Sequence, residues 1–459
     1  MAKEAKKQID SREVRRKRRI RNVILAYLFM IILIVGIGAG GYYGVKTVVG
    51  LVNDKKNKVA MEEAAIEAAK LEEEERLEAE AKALEEAQRA EEEAMALEEE
   101  LAAEEEYTED DLLNEVVQSC IADMSLEEKV AGLFIVTPEQ LTGTDKVTKA
   151  GNGTKEALEK YPVGGLIYNS QNIKDKDQFT EMLNNTITFS KYPIFLAVDE
   201  GLGTSSILRK PFKMDEMKSA KELGESGDSN LTYESYKTIG EYMTSFGLNL
   251  DIGINADLAH AGDASPDADN MFGSDETVVT NLVTSAIEGL TDTGVFSCVK
   301  YFPGQGSVKD DTSAGMATTD RLASEYELYD TKIYDSAVEA GADMIMVGHF
   351  IASSITGDES TPCSLSKEVM TEMLRVNHKY DGVIITDAMS KKAITEYYGA
   401  DEAAIKAFKA GADMILSPEN FEKAYTAVVE AVKDGTISEQ RINDSLARVY
   451  RLKYRSTIE

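Results

Sequence analysis

The chain has 459 residues, 43% of them hydrophobic, so it can bury a large core in one big domain or in two to three smaller ones. Its formal net charge of −32 is unevenly distributed, because 20 Glu against four Lys/Arg lie between Glu62 and Glu106. The rest is only mildly acidic, which excludes nucleic acid as the expected ligand. The three cysteines, Cys120, Cys298 and Cys363, are widely separated and indicate neither a disulfide framework nor a zinc site.

The first 45 residues have the pattern of a membrane anchor. Residues 1–22 carry ten Lys/Arg against three acids, and Val23–Val45 follows as 23 residues without a charge. That length spans a hydrocarbon layer of about 30 Å. A cleaved signal peptide is the alternative, but its apolar region would be shorter. The basic flank predicts a cytoplasmic amino terminus, and therefore a single-pass protein of the cell membrane with the remainder outside the cell.

An acidic stalk is predicted between the anchor and the globular part, over residues 46–109. Residues 54–106 contain no Gly or Pro and consist largely of helix-forming Ala, Glu, Lys and Leu. The leucines do not keep a strict heptad, so the pattern favours a weak coiled coil or a solvated helix. Gly36, Gly40 and Gly44 share one face of the anchor, which is either ordinary glycine enrichment or a contact in a homodimer formed through this helix or the stalk.

Residues 110–459 are predicted to form one (β/α)8 TIM-type barrel. Eight short apolar runs alternate with stretches of helical period, and such alternation is typical of this fold. The predicted strands are Gly132–Val136, Gly165–Tyr168, Ile194–Asp199, Leu248–Asn255, Val295–Phe302, Met344–His349, Gly382–Asp387 and Asp413–Ser417. One unit of a helix end, a glycine and a strand occurs twice in the sequence, as EAGADMIMV at 339–347 and KAGADMILS at 409–417.

Polar residues stand where the predicted strands end. The carboxyl ends of barrel strands face the active site, so these residues are expected to converge around one pocket. They are Asp199, Asp257, Lys300, His349 and Asp387. Carboxylates with a Lys and a His suit the recognition of sugar hydroxyls and acid/base chemistry at an acetal carbon.

Several segments resemble glycoside hydrolase family 3. GVIITDAMSKKAI at 382–394 is similar to the family's nucleophile pattern, roughly GVVxSDDLxMxAI, VKYFPGQG at 299–306 to its KHFPGHG segment, and AVDEGLG at 197–203 to its sugar-binding DQEGG. The resemblance covers residues 124–453, and no second, carboxyl-terminal domain is expected. The chain therefore resembles most the single-domain β-N-acetylglucosaminidase branch, which removes N-acetylglucosamine from cell-wall fragments.

That resemblance implies retaining hydrolysis, with Asp387 as the nucleophile and an Asp-x-His dyad as acid/base. This chain reads Asp311, Thr312, Ser313, so the Asp of the dyad is kept and the His is replaced. The resemblance also implies a substrate-binding set of Asp199, Asn270, Lys300, Tyr301 and His349, in which Asn270 and Tyr301 replace an Arg and a His, while Gln305 replaces a second His. Serine cannot donate a proton as an imidazole does, so Asp310, Asp311 and Glu200 are candidate substitutes.

Three functions remain open from the sequence. The first is an extracytoplasmic glycosidase of the β-N-acetylhexosaminidase type, acting on a glycan that contains N-acetylglucosamine, with activity impaired by Ser313. The second is a glycan- or peptidoglycan-binding module, and the third an aldolase with Lys300 as Schiff-base lysine. No cofactor or metal is expected, because the three histidines, His260, His349 and His378, show no ligand spacing.

Overall fold

The computed structural model describes residues 108–260 and 265–458, together with residues 67, 70–74, 76–79, 81–82, 85–86, 89 and 95. The described residues between 67 and 95 are all helical and exposed, and the predicted stalk otherwise lies outside the described residues up to residue 107. The predicted basic tail and anchor, residues 1–45, lie outside the described residues. Within the described part of the chain, no helix combines the length and the apolar character that a membrane span requires.

The chain separates into two compact units, residues 1–112 and 113–459. The described residues of the second unit form ten strands, and their bounds are β1 Phe134–Val136, β2 Gly165–Tyr168, β3 Phe195–Val198, β4 Leu250–Asn255, β5 Phe296–Phe302, β6 Ala317–Thr319, β7 Met344–Val347, β8 Phe350–Ala352, β9 Val383–Ala388 and β10 Met414–Leu416. Eight of them close into a parallel barrel in the order β1-β10-β9-β7-β5-β4-β3-β2. These eight are the strands that the sequence predicted, so the (β/α)8 prediction is confirmed.

Helices cover the outside of this barrel. The α-helices are α1 Glu109–Ala122, α2 Leu126–Ala131, α3 Pro138–Thr142, α4 Asn152–Lys160, α5 Lys176–Phe189, α6 Arg209–Phe212, α7 Ala220–Ser226, α8 Ser229–Phe246, α9 Glu276–Thr291, α10 Ala323–Glu325, α11 Thr331–Glu339, α12 Ser353–Thr356, α13 Lys392–Thr395, α14 Ala400–Ala410, α15 Phe421–Lys433 and α16 Glu439–Ile458. The segments Tyr326–Asp330 and Glu368–Asn377 are π-helical and add to them. Helices on every side explain why the barrel strands are apolar on both faces.

The barrel closes where its first and last strands pair. Phe134 of β1 lies opposite Ile415 of β10 in the parallel register. Its ring packs edge-on against Phe408 of α14 at 6.0 Å and Phe421 of α15 at 5.5 Å between centroids. These aromatic contacts bury large apolar surfaces, and they join the amino-terminal strand to the last helices of the fold.

Strands β6 and β8 lie outside the barrel and form a separate parallel pair, in which Ala317 lies opposite Phe350. These two strands were not expected from the sequence, because each has only three residues and β6 reads Ala-Thr-Thr. They hold the segments that follow β5 and β7 together, on the side of the barrel where the predicted polar residues lie.

Candidate active site

Asp387 lies near the carboxyl end of β9, and its carboxylate is almost fully buried. Its Oδ1 accepts a hydrogen bond from the backbone N–H of Ala388 at 2.7 Å, and its Oδ2 accepts one from Nζ of Lys391 at 2.7 Å. Burial alone would raise the pKa of Asp387, but the charge of Lys391 and the hydrogen bonds from Lys391 and Ala388 act against it, and that pKa lies below its ordinary value. The carboxylate is therefore ionised, as a nucleophile must be.

His349 lies two residues after the end of β7, and its side chain is fully buried. Nε2 lies 3.0 Å from the carbonyl oxygen of Ala388, and Nδ1 lies 2.6 Å from Oγ of Ser364. Because a carbonyl oxygen can only accept, Nε2 carries the proton and Nδ1 accepts from the serine. Burial lowers the pKa of His349 to about 4, so the imidazole is neutral.

Lys300 and Asp199 form the second charged pair of the site. Lys300 lies in β5 opposite Asn255 of β4, and its Nζ is 2.7 Å from Oδ1 of Asp199, just beyond β3. The lysine is buried, whereas about half of the aspartate side chain is exposed. Burial lowers the pKa of Lys300, but Asp199 more than offsets this and leaves the pKa raised well above its ordinary value.

Tyr301 lies between the two lysines. Nζ of Lys300 and Nζ of Lys391 are each 5.3 Å from the centroid of its ring, within the range of a cation–π interaction. The ring thus connects the Asp387–Lys391 pair to the Asp199–Lys300 pair. Burial raises the pKa of the Tyr301 phenol, so this side chain stays neutral. A histidine at this position would have added a group that gains and loses a proton near neutral pH.

Two adjoining cavities open at this end of the barrel. One has a volume of about 240 Å³ and is lined by Asp387, Lys391, Ser390, Gln140 and Ser417, among others. The second has about 280 Å³ and is lined by Lys300, Asn270, Asp267, Ser205 and Tyr236, among others. Asn169, Asp199 and Tyr301 line both cavities, so the two lie side by side.

Asn270 reaches the second cavity from the loop after β4. Its Oδ1 accepts from Oγ of Ser205 at 2.6 Å, and its Nδ2 donates to Oδ1 of Asp267 at 2.8 Å. The amide is therefore fixed at the cavity wall, and Asp267 lies beside it. The sequence predicted Asn270 at the site but did not single out Asp267, Ser205, Asn169 or Tyr236.

Asp311 and Ser313 form a closed hydrogen-bonded pair. The Asp311 carboxylate accepts from the Ser313 backbone N–H at 2.8 Å and from Ser313 Oγ at 2.6 Å. These bonds lower the pKa of Asp311, with a smaller contribution from the Lys391 ammonium, so the loop lies within electrostatic range of Asp387. The neighbouring Thr312 accepts from the backbone N–H of Ala393 at 3.0 Å, which docks this loop on α13.

Two of the predicted strand-end residues do not line the cavities. His349 is enclosed as described, and Asp257 is buried under the loop that follows β5, where its Oδ1 accepts from the backbone N–H of Tyr301 at 3.3 Å and of Gln305 at 2.7 Å. Burial raises the pKa of Asp257 to about 8. The structure thus brings Asp199, Lys300 and Asp387 together at the cavities, and it places Asp257 and His349 behind them as supports.

The comparison with protein families decides what this barrel is. The model described as "Glycosyl hydrolase family 3 N terminal domain" matches residues 125–452. The chain belongs to glycosyl hydrolase family 3. The resemblance seen in the sequence is therefore confirmed.

Named relatives of this family 3 chain include β-hexosaminidases. "Beta-hexosaminidase A" from Pseudoalteromonas piscicida is 24% identical over 65% of this chain and 54% of its own length. "Beta-hexosaminidase LpqI" from Mycobacterium tuberculosis is 28% identical over 72% of this chain and 83% of its own. The chain thus spans about half of the first relative and most of the second.

Solved structures agree with this assignment to family 3. A family 3 β-N-acetylglucosaminidase from Paenibacillus sp. is 27% identical, with a TM-score of 0.67, over 73% of this chain and 63% of its own. The structure of M. tuberculosis LpqI is also 27% identical, with a TM-score of 0.66, over 73% of this chain and 96% of its own.

Lys391 is a charged residue at the cavity that was not expected from the sequence. It stands where the family's nucleophile pattern has Met, four residues after Asp387. An ionisable residue at an apolar position of that pattern was the available signal, but its contact with Asp387 depends on the turn after β9, which the sequence alone does not specify.

Proposed function

We propose that this protein is a retaining β-N-acetylhexosaminidase that removes a terminal N-acetylglucosamine, with Asp387 as the nucleophile. The observation that carries the proposal is the ionised Asp387 carboxylate, fixed by Ala388 and Lys391 at the floor of a cavity. Retaining hydrolysis needs such a carboxylate facing the anomeric carbon. The named β-hexosaminidase and β-N-acetylglucosaminidase relatives support the choice of sugar.

The adjoining cavity supplies the groups that bind the sugar. The Asp199–Lys300 pair offers acceptors and donors to hydroxyl groups, and Asn270 and Asn169 add amides. His349 orients the backbone at Ala388 and thereby the nucleophile, and does not itself contact the sugar.

Lys300 does not support the aldolase alternative. A Schiff-base lysine must lose its proton to attack a carbonyl group. Lys300 is held as an ammonium by Asp199 at 2.7 Å, and its pKa is raised rather than lowered. The named relatives favour a glycosidase over the binding-module alternative, and the experiment below separates these two.

The test is hydrolysis of 4-nitrophenyl N-acetyl-β-glucosaminide by the full chain and by two variants. Asp387→Asn keeps the shape but removes the nucleophile, and its kcat is expected to fall by about 10⁴-fold or more. Asp381→Asn is the matched control, because Asp381 precedes the same strand at its other end with its side chain 91% exposed. Its kcat is expected to stay within about twofold.

Two results would contradict the proposal. Equal activity of Asp387→Asn and the wild type would assign the nucleophile to another residue. No turnover by the wild type, together with saturable binding of N-acetylglucosamine in calorimetry, would establish the binding module instead.

We also propose that Val23–Val45 anchors the protein in the cell membrane, with residues 1–22 in the cytoplasm and the barrel outside, where cell-wall glycans would be its substrates. The support is the uncharged length of this segment and its basic flank. A homodimer through this helix or the stalk is consistent with Gly36, Gly40 and Gly44, and it stays a prediction.

A further inference from the structure

An ammonium group contacts the proposed nucleophile inside its cavity. Nζ of Lys391 lies 2.7 Å from Oδ2 of Asp387, and about three quarters of the lysine side chain is buried. Among the described residues that line this cavity, Lys391 contributes the one ammonium group. Relative to the family's pattern, this chain has gained an ionisable group here and lost one at Ser313.

The other candidate proton donors are unsuited to the task. The pKa of Asp311 is lowered by its bonds to Ser313, so this carboxyl holds no proton near neutral pH. Burial raises the pKa of Glu200 to about 7, but its oxygens accept from Ser206 and from the backbone N–H groups of Ile207 and Leu208. Glu200 therefore faces its own loop, and both it and the exposed Asp310 are absent from the walls of the two cavities.

We propose that Lys391 is the acid/base residue of this enzyme and fulfils the role that Ser313 cannot. This inference rests on the function proposed above. In the first step Asp387 forms a bond to the anomeric carbon, the bond to the leaving oxygen breaks with its electron pair, and that oxygen takes a proton from the Lys391 ammonium. In the second step the neutral Lys391 amine takes a proton from water, whose oxygen attacks the anomeric carbon and releases Asp387 as a carboxylate.

The contact between the two residues couples their charges through this cycle. In the free protein, burial lowers the pKa of Lys391, but the Asp387 carboxylate more than offsets this and raises it. When Asp387 becomes a glycosyl ester its charge disappears, while the burial and the nearby Lys300 ammonium remain, and both of these lower the pKa of Lys391. The lysine thus becomes an acid as the glycosidic bond breaks, and it recovers its proton when Asp387 is released.

The experiment compares two leaving groups in Lys391→Met, which restores the residue of the family pattern. Phenyl N-acetyl-β-glucosaminide needs protonation of its leaving oxygen, whereas the 2,4-dinitrophenyl glycoside does not. Hydrolysis of the phenyl glycoside is expected to fall by about 100-fold or more, while the first burst of dinitrophenol persists at a pH high enough to ionise Asp387 without the neighbouring ammonium. The glycosyl-enzyme should then accumulate, visible as added mass on the intact protein, and sodium azide should restore turnover and yield the glycosyl azide.

Controls make the outcome decisive. Lys392→Met removes the exposed neighbouring ammonium and should leave both rates unchanged. Lys391→Arg keeps a cation beside Asp387, but the guanidinium cannot release its proton at neutral pH. This variant should therefore show the same dependence on the leaving group as Lys391→Met. It replaces Lys391→Met in the experiment if the Met variant does not fold.

Two results would overturn the assignment of Lys391. Unchanged or faster hydrolysis of the phenyl glycoside by Lys391→Met would mean that the lysine only pairs with Asp387. An equal loss on both glycosides, without rescue by azide, would make it a positioning residue. A wild type that forms no glycosyl-enzyme from either substrate would instead refute the proposed function itself.

Discussion

Four of the charged side chains at the cavities form two neutral pairs. Asp199 is paired with Lys300 and Asp387 with Lys391, each at 2.7 Å, and the ring of Tyr301 lies between the two lysines. Asp267 adds a further carboxylate to the wall of the second cavity, where it accepts from the Asn270 amide. These groups supply both donors and acceptors for the hydroxyl and amide groups of an uncharged sugar such as N-acetylglucosamine.

Asp257 shows why a polar residue at a strand end is an ambiguous signal. Successive residues of a strand point to opposite sides, and a shift of one position decides between the cavity and the protein interior. Asp257 turns inward, and its Oδ2 has no hydrogen-bond partner among the described residues. It stabilises the loop after β5 through Oδ1 only, so it supports the site without lining it.

We expect Asp257→Asn to stabilise the protein increasingly as the pH rises. The pKa of Asp257 is raised from 3.8 to about 8, so its contribution to stability is fully present below pH 3.8 and is lost as the pH rises to about 8. Asparagine keeps the acceptor for Tyr301 and Gln305 and cannot ionise. At about 1.4 kcal/mol per pKa unit, this loss in the wild type amounts to at most about 6 kcal/mol.

Urea unfolding of both proteins at pH 5, 7 and 9 measures this difference. The buried Glu200 titrates in the same range but is common to both proteins, so its contribution cancels. A difference in unfolding free energy that stays constant from pH 5 to pH 9 would show that Asp257 is ionised throughout in the folded protein.

At the scale of elements, the barrel strands could be predicted because they are short, apolar and separated by helices. Strands β6 and β8 could not, since Ala317–Thr319 has neither an apolar run nor a clear alternation. The docking of the Asp311–Ser313 loop on α13 could not be predicted from the sequence either. It depends on a backbone hydrogen bond from Ala393 to Thr312, which joins segments about 80 residues apart. Contacts of this kind depend on the completed barrel rather than on local pattern.

The repeated GAD segments place two aspartates at equivalent positions before β7 and β10. Asp413 accepts from the backbone N–H of Ile384 at 3.0 Å and is surrounded by three guanidinium groups, those of Arg375 at 2.6 Å and of Arg441 and Arg448 at 3.4 Å. Asp343 accepts from the backbone N–H of Ser297 at 2.9 Å and pairs with Arg455 alone among the described residues. Asp413 thus connects β10 to the π-helix Glu368–Asn377 and to α16.

We therefore expect Asp413→Asn to destabilise the protein more than its matched control, Asp343→Asn. Asparagine retains the acceptor for the backbone in both cases, but at position 413 it leaves three guanidinium groups without their carboxylate. Breaking a buried pair in this way costs about 3–5 kcal/mol, whereas Arg455 is partly exposed and solvent compensates its loss. Urea unfolding at pH 7 gives both values, and an equal loss would mean that the three arginines contribute little.

At the scale of the whole molecule, the sequence predicted the barrel and the end of the barrel at which the cavities lie. It also predicted three of the charged residues that line these cavities. Asp199, Lys300 and Asp387 were found because each stands at the end of an apolar run and matches a family segment. Lys391 could not be placed in the same way, because it belongs to a turn and meets Asp387 only through the path of the chain between β9 and α13. The chemistry of the site thus depends on one contact that pattern alone does not reveal.

The anchor is the prediction that concerns the molecule as a whole. We expect the full chain to sediment with membranes and to resist extraction by alkaline carbonate, because Val23–Val45 has the length and apolar character of a spanning helix. Replacing Ile31 and Ile34 by Lys should release the protein, since each charge near the centre of the span costs about 2.5–3.5 kcal/mol on insertion. Ile31→Leu with Ile34→Leu is the matched control and should remain bound. A wild-type chain found in the soluble fraction with its full mass would contradict the anchor, whereas a soluble chain lacking its first residues would identify a cleaved signal peptide.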